Sequence, residues 1–93
     1  MIASFKGKFA EKVAAGVAPK GFPADLLRSA QRKLFMVEHA VELKDLMSPP
    51  GNRLEALKGN RTGQHSIRIN EQWRICLRWE GGGAHEVEIV DYH

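Results

Sequence analysis

The sequence predicts an α+β fold, with helices packed on one face of an antiparallel sheet. Two observations carry this. Apolar residues in the first half recur at helical steps, and after Pro49-Pro50 the period changes to two. Glycine-containing breaks then cut the second half into short runs suited to a meander. At 93 residues, with 43% hydrophobic residues, the chain is expected to form one domain over 1–93 with a modest core.

The elements can be justified in order. "MIASF" alternates enough for a first strand. "KGKFAEKVAAG" permits a helix, with Gly16 placed to stop it. "VAPKGFPADL" carries two prolines and a glycine and reads as a connection. Pro23 and Asp25 suit the start of a second helix. Leu27, Ala30, Leu34, Val37 and Val41 then form one apolar stripe, which Leu43, Leu46 and Met47 continue beyond a break near His39. His39 lies on the helix flank and receives no role. "SPPG" at 48–51 ends the helical region, because consecutive prolines cannot extend it. Two or three helices are expected in all.

Beyond the prolines, "RLEAL" supplies Leu54 and Leu57, and Ile67 and Ile69 alternate with Ser66, Arg68 and Asn70. Trp73, Ile75, Leu77 and Trp79 share one strand face, and Arg74, Cys76 and Arg78 the other. Val87 and Ile89 alternate with glutamates. "KGNRTG" and "GGG" make the turns, and the glycines at 81–83 form no phosphate loop, since no helix start follows them. Three or four strands are therefore expected after the first.

Parity fixes the register of one hairpin. Ile67 and Ile69 must face the same side as Trp73 and Ile75, so the loop between them has an odd length. A three-residue loop, Asn70-Glu71-Gln72, satisfies this and sets Ile69 opposite Trp73 and Arg68 opposite Arg74. Two arginines so placed repel, by up to about 1 kcal/mol. Either an anion sits between the guanidinium groups or both side chains splay into water.

Charge is unevenly distributed. Between Arg53 and Arg78 there are six basic residues and two acids, while the rest of the chain is slightly acidic. Most of these cations are arginine, whose planar fork suits phosphate. Charge runs are more often solvated faces than binding sites. The single cysteine, Cys76, excludes an internal disulfide and has no patterned His–acid partner that would mark a nucleophile. No apolar run is long enough to span a membrane and no signal-peptide core is visible, so a cytoplasmic protein is expected.

The ordered set "PPGNRLEALKGNRTGQHSIRINEQWRICLRW" and "VEIVDYH" resembles the HigB branch of the RelE/ParE toxin superfamily. The first half resembles it only in layout. The resemblance implies a RelE-like α+β toxin of a type II toxin–antitoxin system. Such a toxin would cut messenger RNA in the ribosomal A site, without a metal or other cofactor. It implies a HigA-like antitoxin with a helix-turn-helix domain, and operator DNA bound through that antitoxin. Carried over residue by residue, it implies that Lys58, Arg74, Asp91, Tyr92 and His93 surround the scissile phosphate. Where some members carry a histidine this chain has Glu55, which leaves the base open between Glu55 and His93.

The chemistry is that of a ribose 2′-OH attacking its own phosphate. It needs a base, an acid for the 5′-oxygen, and positive charge on the phosphorane. His93 can serve as acid or base and Glu55 as the second such group. Lys58 and Arg74 can stabilise the equatorial oxygens. Tyr92 can stack on a base or donate a hydrogen bond, and Asp91 can orient a neighbour. Arg61, Arg68, Arg78 and His65 are the candidate RNA contacts, although His65 also reads as a turn histidine. A ParE-type gyrase poison and a non-catalytic RNA- or DNA-binding module are the alternative readings.

Overall fold

The computed structural model describes residues 1–92. Two α-helices lie among these residues, α1 at Ala10–Ala14 and α2 at Leu27–His39. Four strands come after them: β1 at Glu55–Ala56, β2 at His65–Arg68, β3 at Trp73–Glu80 and β4 at Gly83–Asp91. Short 3₁₀ turns fill the connections, at Ala24–Leu26, Leu43–Met47, Pro50–Asn52 and Gly59–Arg61. No helix among the described residues is long and apolar enough to cross a membrane.

Gly16 ends α1 as expected. Its φ of 87° lets its N–H reach the Val13 carbonyl and the Val17 N–H reach that of Lys12, both at 2.9 Å. A 3₁₀ turn after Pro23 leads into α2, which buries Ala30, Leu34 and Val37. The stripe stops there. Ala40 turns extended, with ψ of 134°, so the 3.6-residue period no longer governs the residues beyond it. Val41 and Met47, expected inside, are 76% and 64% exposed. Leu46 alone of that continuation is fully buried, and Leu43 is partly so.

The sheet is antiparallel in the order β1-β2-β3-β4. Its core face carries Ile67, Trp73, Ile75, Leu77, Ala84, Val87 and Ile89 against the helices. Trp73 meets Phe9 and Phe22 edge-on, with ring centroids 5.7 and 5.0 Å away. That aromatic group anchors the start of β3. The first segment, expected as a strand, lies parallel to β4 at the sheet edge through bridges at Ile2–Ala84 and Phe5–Val87. A bulge in β4 sits beside it: Glu86, with φ of 53°, is the extra residue between the Cys76 and Arg78 pairings. The bulge returns Val87 to the core side, where it is fully buried.

The β2–β3 turn has the three residues that parity required. Ile67 pairs with Ile75 and Arg68 with Arg74, and the Ile69 N–H reaches the Trp73 carbonyl at 2.9 Å. Asn70 takes the place of the usual turn glycine. Its side-chain oxygen accepts from the N–H groups of Gln72 (2.9 Å) and Trp73 (2.7 Å).

Candidate functional site

Alternation places Glu55, Ser66, Arg68, Arg74, Cys76, Glu88 and Val90 on the sheet face away from the helices, as the pairings Glu55–Ser66, Ser66–Cys76, Cys76–Glu88 and Arg74–Val90 require. This face is not simply solvated. Ser66 and Cys76 are fully buried on it, under ion pairs. Arg61 reaches from the turn after β1 to Glu88 on β4, at 3.3 Å, and also donates to the Gln64 side chain at 3.1 Å. Burial pushes the Cys76 thiol above its ordinary range, and nearby Glu88 and Glu55 add to this against the opposing pull of Arg61 and Arg74.

Arg74 is the centre of the face, with only 11% of its side chain exposed. Its Nε donates to the Ser66 hydroxyl at 2.8 Å, and its Nη2 donates to the Arg53 carbonyl at 2.8 Å. Glu55 Oε1 lies 3.5 Å from the same Nη2. Arg53 turns its carbonyl this way from a left-handed backbone position, φ 47°. The Arg74 guanidinium also stands 5.8 Å from the centroid of the Tyr92 ring. Two groups from separate segments, the Ser66 hydroxyl and the Arg53 carbonyl, thus fix one cation, and a half-exposed carboxylate and a phenol stand beside it.

Asp91 and Tyr92 close the described part of the site. The Tyr92 N–H donates to the Gln72 carbonyl at 2.6 Å, and Gln72 Nε2 donates to Asp91 Oδ2 at 3.1 Å. Asp91 pairs with Trp73, so it falls on the other side of the sheet from Arg74, while Tyr92 falls on the Arg74 side. The end of β4 is therefore tied to the β2–β3 turn through Asp91 and Tyr92.

The remaining sequence candidates divide. Lys58 is exposed in the turn beyond Glu55 and makes no ion pair with any described residue. Arg68 turns away from Arg74 towards Glu71, at 3.9 Å. No anion is needed to explain the facing arginines, because each has its own partner. Arg78 stands at the far end of β3, where its Nε meets Glu86 at 3.2 Å and its Nη1 meets Glu80 at 3.0 Å. His65 corrects an expectation. It pairs with Leu77, which puts it on the helix-packed face, across the sheet from the arginines. His93 lies outside the described residues.

Sequence reading missed Ser66, the Arg53 carbonyl and Gln72. Ser66 had a usable signal: it lies diagonal to Arg74 in the register that parity had already set. The Arg53 carbonyl had none, because a left-handed arginine is not legible in composition.

The model of the HigB-like toxins, RelE-like toxins of type II toxin–antitoxin systems, matches residues 3–93. The chain belongs to this family. Toxins of this family are one half of a type II toxin–antitoxin system. It is 31% identical to Endoribonuclease HigB of Proteus vulgaris over the full length of both chains. It is 42% identical to Toxin HigB-1 of Vibrio cholerae serotype O1 over 62 residues, which cover 67% of this chain and 65% of that protein. Among solved structures it resembles YafQ from Escherichia coli BL21(DE3). The TM-score is 0.56 at 12% identity, covering 98% of this chain and 93% of YafQ, which shows a common fold.

Proposed function

We propose that this HigB-like toxin is an endoribonuclease that cuts messenger RNA in the ribosomal A site. The observation that carries the proposal is Arg74, fixed by Ser66 and the Arg53 carbonyl, with Glu55 and Tyr92 at its edge. A preorganised guanidinium costs no reorganisation when charge builds on a phosphorane. The name of the Proteus vulgaris relative, an endoribonuclease, supports the same reading.

In this mechanism the 2′-OH attacks the adjacent phosphorus. Arg74 and Lys58 hold the non-bridging oxygens. Glu55 accepts the 2′-OH proton, a role open to a carboxylate at the edge of the site. His93 gives a proton to the departing 5′-oxygen, the role suited to an imidazole. Tyr92 stacks on an adjacent base, and Asp91 anchors the strand that carries it. Arg61, ion-paired over Cys76, shapes the floor, and Arg68 contacts backbone phosphate. Messenger RNA held on a ribosome presents an unstacked strand that a small exposed site can grip. The partner is a helix-turn-helix antitoxin through which the pair binds operator DNA, and the setting is cytoplasmic.

The experiment is primer extension on translated messages shortly after induction, repeated in a purified translation reaction. Cuts within translated codons, absent when ribosomes are omitted, are expected. DNA breaks without cut messages would instead place the chain among gyrase poisons.

A further inference from the structure

Strand ends fray unless something holds them. The last register pair of β4 is Trp73–Asp91, and Tyr92 lies beyond it. Gln72 meets both of these terminal residues. Its carbonyl accepts the Tyr92 N–H at 2.6 Å, and its side-chain amide donates to Asp91 at 3.1 Å. Gln72 is itself held, because the Asn70 side chain accepts both its N–H and that of Trp73. The turn is thus a rigid bracket, and β4 ends in it. Since Asp91 and Tyr92 point to opposite sides of the sheet, fixing Asp91 from one side turns Tyr92 to the other, over Arg74.

We infer that Gln72 is a positioning residue for RNA cleavage: its amide grips Asp91 and so keeps Tyr92 against the Arg74 guanidinium. This rests on the proposed function for the site's chemistry, but the grip itself rests only on geometry. A glutamine fits the task. It is a neutral donor of the right length, and it leaves the charge balance beside the phosphate unchanged.

The test uses the full chain with Gln72→Leu, Gln72→Glu and Gln72→Lys. Leucine removes the donor at similar size, glutamate repels Asp91, and lysine restores a donor. Cleavage of a defined message in a purified translation reaction gives kcat and KM. Tyr92 is the only tyrosine, so selective ring labelling gives one NMR signal that reports its surroundings. Gln72→Leu and Gln72→Glu should lower kcat by roughly tenfold to hundredfold with KM nearly unchanged, as expected for a misplaced group. Their tyrosine signal should move to the position of an unconstrained ring. Gln72→Lys should restore both. An unmoved ring signal in Gln72→Leu overturns the inference, as does a released ring with unchanged cleavage. If the unaltered chain cuts no message, the proposed function fails and the positioning role falls with it. A ring released by leucine in that case shows that the grip exists and that the chemistry was misassigned.

Discussion

Arg68 and Arg74 stand directly opposite each other on β2 and β3, yet their guanidinium groups go separate ways: Arg74 to Ser66, Arg53 and Glu55, and Arg68 to Glu71. The repulsion of a facing cationic pair is thus relieved within the protein. The two partners are unequal. The Arg68–Glu71 contact is 3.9 Å long and its glutamate is 95% exposed, so it holds Arg68 weakly.

That inequality gives the first prediction. Arg68→Ala should flatten the salt dependence of ribosome or RNA binding by roughly one unit of log–log slope, the loss of one phosphate contact. Arg78→Ala should leave the slope nearly unchanged, because Glu80 and Glu86 already neutralise that side chain. Binding measured across a salt series checks both, and equal slopes in the two variants would contradict the assignment.

Arg74 should not tolerate lysine. An ammonium is a point charge and cannot reach Ser66, the Arg53 carbonyl and a phosphate together. Arg74→Lys should lower cleavage by about 10²-fold or more, on the scale of losing one preorganised donor to a developing oxyanion. Arg74→Ala also strips the buried Ser66 hydroxyl of its partner, at about 1–3 kcal/mol. Thermal unfolding of both variants separates that structural cost from the catalytic one.

A third prediction concerns the fold alone. Asn52 is fully buried and donates to the carbonyls of Leu46 (3.1 Å) and Ser48 (3.3 Å), while its oxygen accepts from Lys33. It ties the loop after α2 to the helix itself. Burial, helped by Arg32, also holds the Lys33 ammonium below its ordinary pKa. Asn52→Ala leaves the buried Leu46 carbonyl and two part-buried partners, the Ser48 carbonyl and the Lys33 ammonium, short of a hydrogen bond, and should cost about 2–3 kcal/mol, lowering Tm by roughly 10–20 °C. An unchanged Tm would remove Asn52 from the framework.

The Cys76 thiol gives a pH test. It is fully buried and its folded pKa is raised. A group that holds its proton more tightly when folded stabilises the fold below its unfolded pKa. That stability is lost as pH rises from about 8.5 through the folded value. The unaltered chain should therefore lose stability to Cys76→Ala progressively above that pH, with a constant difference below it. A thiol reagent should label the native protein slowly and the unfolded protein at once. Rapid native labelling would show that the Arg61–Glu88 cover is open.

These residues also mark how far the sequence could be read. Periodicity found α2 and the strands, and parity alone fixed the Arg68–Arg74 register, because a slip of one residue would have exposed Ile67 and Ile75. The same alternation placed Cys76 on the outer face correctly but could not show its burial, because nothing in a period of two says that two ion pairs from distant segments will close over it. His65 failed for a related reason, since its place at a strand start outweighed its parity with Ile67. The bulge at Glu86 was invisible, because a left-handed glutamate carries no turn signature.

The last prediction separates the two proton carriers. Glu55 sits beside Arg74 and is 55% exposed, so removing its charge breaks one weak ion pair and leaves no cavity. Glu55→Gln should then be nearly neutral for Tm. If the carboxylate takes the 2′-OH proton, the same change should lower cleavage by about 10²–10⁴-fold, the usual contribution of a general base. His93→Ala should lower it by a similar factor through loss of the acid. The two losses should not multiply in the double variant, because groups that act in one concerted transfer are not additive. A message with a better leaving group at the 5′-oxygen distinguishes the roles: it no longer needs the acid, so it should rescue His93→Ala and not Glu55→Gln. A Glu55→Gln protein that cuts at full rate would return the base role to His93 and leave Glu55 as a tether for Arg74.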